Sequence, residues 1–543
     1  MKLFTSLKLM MITQCALPLS VYSSTASFCM HRQLFGFIHK LHNGLYRMLT
    51  LPLPNTENTR KVISIIGTTG VGKSQLSIEL AKKFNGEIIN ADSMQMYLGL
   101  DNITNKHPIE ERFGVEHHVM NHVDWEEQYY IHRFKKECQN AMEDCWRRGK
   151  LPIIVGGTHY YLQSVLFDNK TIGSNDEVFA EKERDHGSRE DDDTNKNKLS
   201  EEQLKLLNNE NGDLIFNELK RVDPVIAAKF HPNDTRRVRR ALEVFYVTGE
   251  RASDVYERQR KNTADKGTSL KYDSLFFWIF SQEKELESRL DTRVDKMMHG
   301  GGVQELLDLF KFYLVEKEKG TESVEKMDNG VWQVIGFKEF LPYLMATGGV
   351  EELEKVVHMP EGSAKHDKIE SLINDDAAFK ACCDEMKLKT RRYARKQVKW
   401  IKKLLGPQLA EEAQRGLVKY GEMFVLDATD LNHWETNVNS RGCEIAKEFI
   451  DKGYVTKSIH AQVPASLDGL TLIESNGDTK SSMNKTENWV HYQCDVCTDK
   501  ESGKPMVYVG EQWSIHLKSK KHRYNLDRGK RKREYEAWLA SKK

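Results

Sequence analysis

The most constraining feature of the chain is a glycine-rich octapeptide that directly follows a short apolar run at 62–66. A strand, a glycine-rich turn and then a helix point several backbone N–H groups at one anion, so this order predicts a bound phosphate or diphosphate. We expect Lys73 to lie between phosphates and the Ser74 hydroxyl to bind a Mg²⁺ cofactor. The predicted diphosphate-binding loop is Gly67, Thr68, Thr69, Gly70, Val71, Gly72, Lys73 and Ser74.

Polar and small residues follow two further apolar runs. Asp92 comes directly after the run at 88–91, and Gly156, Gly157 and Thr158 follow the run at 151–155. Because the ends of neighbouring strands in a doubly wound sheet share one crevice, we expect Asp92 to lie near the phosphate site. The glycines would let a substrate approach the backbone. A carboxylate there could remove a proton, cap a helix or bind Mg²⁺, and the pattern alone leaves these roles open.

Length and composition agree with a soluble enzyme of more than one domain. The chain has 543 residues, of which 39% are hydrophobic, and a formal net charge of +1. Overall charge therefore predicts no polyanionic partner, and any affinity for nucleic acid must come from local basic patches. The nine cysteines form no regular framework, which indicates reduced thiols in an intracellular compartment. Only Cys494 and Cys497 have a spacing with chemical meaning.

The first 56 residues contain no Asp or Glu but carry scattered Lys and Arg among Ser, Thr, Leu and Phe. This composition is typical of a mitochondrial presequence at 1–56. The apolar run near 9–19 is interrupted by Thr13 and Gln14, and no stop-transfer pattern follows, which disfavours a secretory signal or a membrane anchor. Initiation at Met48 would give a form without the presequence. We expect mitochondrial and cytoplasmic pools, and a nuclear pool is left open.

The remainder divides into a core, an insertion and a C-terminal module. We predict a P-loop core over 60–455 built from βα units and interrupted at about 160–260 by a mainly helical insertion. Within it, 174–200 is crowded with charged residues and Asn, which predicts a disordered loop. Residues 281–455 are expected to return to helices that complete the core, and 456–488 to form a polar linker.

A small metal-binding module is predicted at 489–525. Its candidate ligands have Cys-x₂-Cys and His-x₅-His spacing and are of the types that structural Zn²⁺ takes: Cys494, Cys497, His516 and His522. The stretch 513–522 looks like a matrin or U1-type finger, a class that often meets RNA, although such a module can also contact protein. The basic tail at 526–543 suits RNA phosphates, nuclear import or a charged helix. The predicted fold class is α/β, with a P-loop NTPase-like parallel sheet core, a helical insertion and a small C-terminal zinc finger.

As an ordered set, these motifs resemble those of the tRNA dimethylallyltransferases. The set covers roughly residues 60–455, and no single motif is decisive. After the phosphate loop its members are 92–95 (Asp-Ser-Met-Gln), 156–158 (Gly-Gly-Thr), 231–243 (His-Pro-Asn-Asp to Arg-Ala-Leu-Glu), 289–293 (Arg-Leu-Asp-Thr-Arg), 335–339 (Ile-Gly-Phe-Lys-Glu) and 390–397 (Thr-Arg-Arg-Tyr-Ala-Arg-Lys-Gln). The added finger resembles the fungal and animal branch, and so does Thr68, where bacterial members usually have proline.

The resemblance implies transfer of a dimethylallyl group from dimethylallyl diphosphate to the exocyclic amine of the adenosine at tRNA position 37, beside the anticodon. That amine is a poor nucleophile because its lone pair is delocalised into the purine, so Asp92 is expected to take its proton. The loop amides, Lys73, Mg²⁺ and, by resemblance, Arg293 would stabilise the departing diphosphate. Thr69 would hydrogen-bond the diphosphate or Asp92, or is a simple loop hydroxyl. The expected catalytic residues are Asp92, Thr69, Lys73 and Arg293.

The same resemblance implies where tRNA is held. The target base must leave the anticodon stack to be read at its edge, for which Gln95 and Thr158 are suitable. The segment 332–338 and the cationic helix at 395–402 are expected to contact RNA, but without the resemblance the helix would be read as a solvated charged face. The expected tRNA-binding residues are Asp92, Ser93, Met94, Gln95, Thr158, Arg237, Gln333, Gly336, Lys338, Arg395, Lys396, Gln397 and Lys399.

Two other classes of function stay open at the level of sequence. A small-molecule kinase shares the strand, loop and helix, but nothing after the loop marks a nucleotide pocket or a hydroxyl acceptor. A non-catalytic RNA-binding protein is compatible with the finger, but the intact Lys73, Ser74, Asp92 and Arg293 argue against it. We therefore predict a monomeric tRNA prenyltransferase. Its partners would be the tRNA anticodon stem-loop and dimethylallyl diphosphate, with no membrane partner, Mg²⁺ for catalysis and structural Zn²⁺.

Overall fold

The computed structural model of the protein describes the catalytic region, most of the insertion and the C-terminal module. The described residues are 60–168, 200–207, 209, 211–266, 269–320, 324, 327, 329–414, 419–473, 490–498, 503, 505–510 and 512–541. The predicted presequence, Met48, nearly all of the predicted disordered loop and the second half of the predicted linker lie outside them. The described residues belong to one compact unit that begins at Arg60.

A six-stranded parallel sheet lies at the centre of this unit, in the strand order β3-β2-β4-β1-β5-β6. The strands are β1 Lys61–Gly67, β2 Gly86–Asn90, β3 His117–His118, β4 Leu151–Val155, β5 Asp273–Phe280 and β6 Gly421–Asp427. Strand β1 pairs with β4 although the two are far apart in the chain. A topological switch point therefore lies between them, and ligand crevices form at the carboxyl ends of strands at such points.

Helices cover both faces of the sheet and make up the insertion and the end of the chain. In chain order they are α1 Lys73–Lys83, α2 Ile131–Arg147, α3 His159–Leu166, α4 Glu201–Leu207, α5 Gly212–Val222, α6 Pro224–Ala227, α7 Thr235–Thr248, α8 Ala252–Lys266, α9 Glu283–Met297, α10 Val303–Glu318, α11 Phe337–Met345, α12 Gly349–Val357, α13 Ser363–Asp375, α14 Ala377–Trp400, α15 Gly406–Gln414, α16 Arg441–Lys452, α17 Gln512–Leu517 and α18 Lys520–Ser541.

Successive residues of β1 enter two different apolar clusters, because side chains alternate between the faces of a strand. Val62 packs in the cluster that contains Phe134 of α2, whereas Ile63 packs in the cluster that contains Leu76 of α1 and Phe449 of α16. Both faces are thus buried under helices, as a parallel sheet requires. This confirms the predicted α/β class.

The predicted helical insertion is present as α4 to α8, which pack around an apolar cluster of their own. It leaves and rejoins the core at Phe167 and Leu270, which form an antiparallel bridge. The buried Glu412 carboxylate accepts hydrogen bonds from the Ser269 N–H at 3.0 Å and from the Ser269 hydroxyl. These bonds hold the connection between the insertion and the core. Helix α3, which the sequence assigned to the insertion, packs instead in the core through Leu162.

The later part of the catalytic region also differs from the prediction. The expectation of helices over 281–455 is wrong at 421–427, which form β6 beside β5. All seven of its residues are buried, and a short, fully buried strand cannot be told from a buried helix by periodicity. The first half of the predicted linker packs on the core, where the Val425 N–H donates to the Gln462 carbonyl oxygen at 2.7 Å.

The C-terminal module is a hairpin of β7 (His491–Thr498) and β8 (Pro505–Val509) followed by α17 and α18. It contacts the insertion through two imidazoles. His231 Nε2 lies 2.8 Å from the Val507 carbonyl oxygen, and His491 Nε2 lies 3.1 Å from the Phe230 carbonyl oxygen. The module therefore docks on the insertion. Across the described residues, every helix is too short or too polar to span a bilayer.

A nearly buried carboxylate ties β2 to the end of α2. Glu87 is 5% exposed and accepts hydrogen bonds of 2.5 Å from two nitrogens of Arg148. His118 Nε2 lies 2.7 Å from the same carboxylate. The Arg148 hydrogen bonds are the largest cause that lowers the pKa of Glu87 from 4.5 to about 2, and His118 contributes in the same direction.

We expect Arg148→Ala to lower the melting temperature at neutral pH by several degrees, because it removes the main partner of a buried carboxylate. The folded pKa of Glu87 is depressed, so its stabilising effect is full above pH 4.5 and is lost as the pH falls towards about 2. The difference between variant and parent, measured by calorimetry, should therefore shrink over that range. The control is Arg147→Ala, a highly exposed neighbour paired with Asp144. Equal effects of the two changes would contradict this account.

Candidate active site

The phosphate loop joins β1 to α1 and is shaped by its glycines. Gly72 has a φ of +87°, which favours glycine, and a Cβ there would lie 2.5 Å from the Trp434 ring. Helix α1 begins at Lys73, so the last two residues of the loop form the start of the helix. The free N–H groups and the positive dipole end of a helix therefore lie beside the loop, as an anion site requires.

Lys73 is half-buried within the loop. Its ammonium donates to the Thr68 carbonyl oxygen at 2.6 Å. Burial lowers the pKa of Lys73 to about 8; the Asp92 carboxylate opposes this shift, and Arg293 adds to it. The three ionisable groups are thus within electrostatic reach of one another, and negative charge on a ligand would help to keep the ammonium protonated.

Asp92 follows β2 at the same edge of the sheet. Its Oδ1 accepts the Met94 N–H at 3.1 Å, and its own N–H donates to Asn90 Oδ1 at 3.0 Å. Burial raises the pKa of Asp92 above its ordinary value, against the opposing effects of the Met94 N–H, Lys73 and Arg293. A higher pKa makes a carboxylate a stronger proton acceptor, which suits a general base.

Arg293 reaches the phosphate loop from α9. Its Nη1 donates to Thr69 Oγ1 at 3.0 Å. Burial lowers the pKa of Arg293 to about 10 and Asp92 opposes this, so the guanidinium stays charged at neutral pH. Within the described residues, Arg293 Nε and the Thr68 hydroxyl are buried without a hydrogen-bond partner. Unsatisfied buried donors are costly, so they mark a place where an anion could bind.

The end of β4 closes the crevice beside Asp92. A Cβ at Gly156 would lie 2.2 Å from the Ala91 carbonyl carbon, so only glycine lets the two strand ends approach this closely. Thr158 Oγ1 accepts the Ser93 N–H at 3.1 Å. The Gln95 amide donates at 3.0 Å to two carbonyl oxygens of the following loop. Thr158 is therefore held beside Ser93, and the Gln95 side chain is held by the loop at 104–105.

Three of the residues predicted to meet RNA on α14 are exposed, namely Arg395, Lys396 and Lys399. Arg395 is paired with two glutamates of α9. Gln397 differs, because it is 3% exposed and its Oε1 accepts the Thr69 N–H at 2.9 Å. The structure thus brings Gln397 to the phosphate loop, while its neighbours on the helix face solvent.

The other residues predicted to meet RNA lie on two separate elements. Gln333 and Lys338 are exposed, and both donate to the Met327 carbonyl oxygen. Gly336 is buried with a φ of +124°, at the residue before α11. Arg237 is exposed on α7 of the insertion and pairs with the aspartate that caps this helix.

The structure adds side chains for which the sequence indicated no role. His159 Nε2 accepts the Gly67 N–H at 3.5 Å, and burial lowers the pKa of His159 to about 3, so it is neutral. The Tyr393 hydroxyl donates to the Gly157 carbonyl oxygen at 3.4 Å. His159 follows the Gly-Gly-Thr motif and Tyr393 lies within the motif at 390–397, so these motifs could have marked both residues. Trp434, which packs on the loop, had no local signal.

All four predicted metal ligands come together in the C-terminal module. Cys494, Cys497, His516 and His522 are all buried. His516 Nε2 lies 3.1 Å from His522 Nδ1 and 3.2 Å from Cys494 Sγ, and both sulfurs lie within 3.7 Å of His522 Nδ1. These separations fit tetrahedral ligands with bonds of about 2.0 to 2.3 Å to a common ion. The cluster can therefore hold a metal.

Comparison with known proteins gives a consistent picture. The IPP transferase family model matches residues 95–404. A tRNA dimethylallyltransferase of Saccharomyces cerevisiae is 43% identical over 91% of this chain and 99% of its own, and one of Homo sapiens is 30% identical over 88% of each. A solved structure of a eukaryotic dimethylallyltransferase acting on tRNA matches with a TM-score of 0.67 at 43% identity, over 88% of this chain and 100% of that one. The chain belongs to the tRNA dimethylallyltransferase family.

Proposed function

We propose that the chain transfers a dimethylallyl group from dimethylallyl diphosphate to the exocyclic amine of an adenosine in tRNA, at position 37 beside the anticodon. The observation that carries this proposal is that Lys73 and Arg293 bond the phosphate loop at Thr68 and Thr69, and that both cations act on the Asp92 carboxylate after β2. A proton acceptor and a site for an anionic leaving group are the two things that the reaction needs. Family membership supports the same reaction.

Asp92 acts as the general base. It takes a proton from the amine as the nitrogen forms a bond to C1 of the dimethylallyl group. The bond from this carbon to the diphosphate oxygen breaks in exchange, so the products are the prenylated adenosine and diphosphate. The raised pKa of Asp92 supports this role.

The departing diphosphate is bound by the loop amides, Lys73 and Arg293, whose charges are in place before the bond breaks. Thr69 orients Arg293 through its hydroxyl. Ser74, half-buried in the first turn of α1, would hold Mg²⁺, which commonly takes a hydroxyl beside phosphate oxygens and water. When bound, Mg²⁺ would supply further positive charge at the diphosphate.

The tRNA anticodon stem-loop lies across α14 and its neighbours in this proposal. Ser93, Gln95 and Thr158, beside Asp92, read the extruded base. Exposed cationic and polar side chains on three elements hold the phosphate backbone: Arg237, Gln333, Lys338, Arg395, Lys396 and Lys399.

The Cys/His cluster holds structural Zn²⁺, and the module around it adds RNA contacts. Four exposed cations close to the ligands would meet phosphates: Lys518, Lys520, Lys521 and Arg523. We further propose that 1–56 directs a mitochondrial pool, that initiation at Met48 yields a cytoplasmic or nuclear form, and that the protein acts as a monomer.

Asp92→Asn should lower the single-turnover rate of prenyl transfer by about 10²- to 10⁴-fold, because the amide cannot accept the proton. Affinity for tRNA should change little. The rate is measured by mass spectrometry of the product nucleoside at saturating substrates. A rate near that of the parent would remove Asp92 from the mechanism.

Lys73→Ala and Arg293→Ala should each lower turnover by roughly 10²- to 10³-fold, because charge that stabilises the leaving diphosphate is lost. The matched control is Lys82→Ala, an exposed lysine on the same helix as Lys73. Dimethylallyl transfer and ATP hydrolysis are measured in parallel. Strong ATP hydrolysis without prenyl transfer would favour a kinase instead.

The value of kcat/KM for dimethylallyl diphosphate should pass through a maximum with pH and fall on both sides of it. Lys73 is charged below its pKa of about 8, so activity should fall as the pH rises through that value. Asp92 must be ionised, so activity should also fall as the pH drops through its raised pKa. A profile that rises steadily above pH 8 would contradict the role of Lys73.

Cys497→Ala should release one zinc per chain and unfold the C-terminal module while leaving the catalytic core folded, because metal binding supplies the folding energy of so small a module. The variant should bind tRNA more weakly with a shallower salt dependence, and activity at saturating tRNA should stay close to that of the parent. Elemental analysis and binding titrations at several salt concentrations measure these effects. The control is Cys443→Ala, a cysteine buried in the core. Absence of zinc in the parent would remove the metal site, and an unchanged salt slope would remove the RNA contact.

A further inference from the structure

The buried amide of Gln397 joins two parts of the site that are far apart in sequence. Its Oε1 accepts the Thr69 N–H at 2.9 Å, and its Nε2 donates to the Gly157 carbonyl oxygen at 3.0 Å. Of the side chains in proteins, a neutral amide is suited to satisfy an N–H and a carbonyl together without bringing charge into a buried place. Gln397 therefore bridges the phosphate loop and the end of β4.

The first end of the bridge is Thr69, which also bonds the Arg293 guanidinium. The Thr69 backbone is held by Gln397, and the Thr69 hydroxyl accepts the hydrogen bond from Arg293 at 3.0 Å. A phosphate loop usually directs its N–H groups to the anion, whereas this N–H is directed to a side chain of α14. The turn at Thr69 is therefore fixed from outside the loop.

The second end of the bridge, at Gly157, lies beside Asp92, the proposed general base. A Cβ at Gly157 would lie 2.3 Å from Gln397 Nε2 and 3.5 Å from Asp92 Oδ2. The Gly157 carbonyl oxygen also accepts from the Tyr393 hydroxyl at 3.4 Å, one turn earlier on α14. The missing side chain at Gly157 thus makes room for the amide next to Asp92.

We infer that Gln397 is a positioning residue, which holds the Thr69 turn of the phosphate loop at a fixed distance from Gly157 and Asp92. Gln397 thereby sets the distance between the bound diphosphate and Asp92, the group that accepts the proton. This inference rests on the proposed function. It differs from a direct contact of Gln397 with RNA, because its amide is buried and both of its ends are bonded within the protein.

The first test replaces the amide with an apolar side chain of similar length, Gln397→Met. The KM for dimethylallyl diphosphate and the Kd for inorganic diphosphate with Mg²⁺ should rise about tenfold, because the loop loses its support. The KM for tRNA should stay within about twofold of the parent. Lys396→Ala, the exposed neighbour on α14, should give the opposite pattern, with a raised KM for tRNA and unchanged diphosphate affinity.

A second test displaces the same amide from another element. Gly157→Ala should push Gln397 Nε2 away and weaken diphosphate binding. In the Gln397→Ala background the added methyl has space, so the double variant should be no worse than Gln397→Ala alone. Hydrogen exchange of the 67–74 segment should increase in each single variant that keeps a parent-like melting temperature. Because the cycle uses only alanine substitutions, it tests the role of Gln397 even if Gln397→Met does not fold.

Three results would overturn the positioning role: a raised KM for tRNA with unchanged diphosphate affinity, multiplicative effects in the Gly157 and Gln397 cycle, or unchanged exchange of the loop. Diphosphate binding and hydrogen exchange require no prenyl transfer. A parent protein without transferase activity would therefore defeat the proposed function, whereas these two measurements would still decide the role of Gln397.

Discussion

Partial burial of two cations and one carboxylate at the carboxyl edge of a parallel sheet is the constraint on which the site depends. Burial shifts the pKa of Asp92, Lys73 and Arg293 towards the neutral form of each, and attraction of Asp92 to the two cations opposes these shifts. Two cations against one carboxylate leave an excess of positive charge beside the loop amides. Such a place favours an anion while it keeps the carboxylate a good proton acceptor.

Helix α14 connects this crevice with the surface. On its inner side, Gln397 and Tyr393 bond the loop and the end of β4. Lys387 pairs at 2.7 Å with Asp295 of α9, the helix that carries Arg293. On its outer side, Lys396 and Lys399 are exposed. One helix therefore bonds the phosphate loop on one side and presents on the other the cations that we propose to meet RNA.

Local patterns were enough to predict the parts of the fold that have a period or a motif of their own. The strand, loop and helix at 61–83 form as predicted, helices are present in the insertion, and the four predicted metal ligands come together. These patterns carry their meaning within a few residues, since glycine φ angles and ligand spacing are local properties. Strand β6 was missed because a short, fully buried strand lacks the polar–apolar alternation that identifies a half-buried strand.

By itself, then, the sequence determined the strand, loop and helix at 61–83 and predicted both the roles of Asp92, Lys73 and Arg293 and the four residues of the Cys/His cluster. Only the tertiary structure decided that Gln397 faces the loop while Lys396 faces solvent, and that Trp434 packs on Gly72. Neighbouring residues on a helix point in different directions, so the composition of a cationic stretch does not say which side chain is buried. That assignment depends on which elements pack against the helix, and the contacts of Gln397 join residues more than two hundred positions apart.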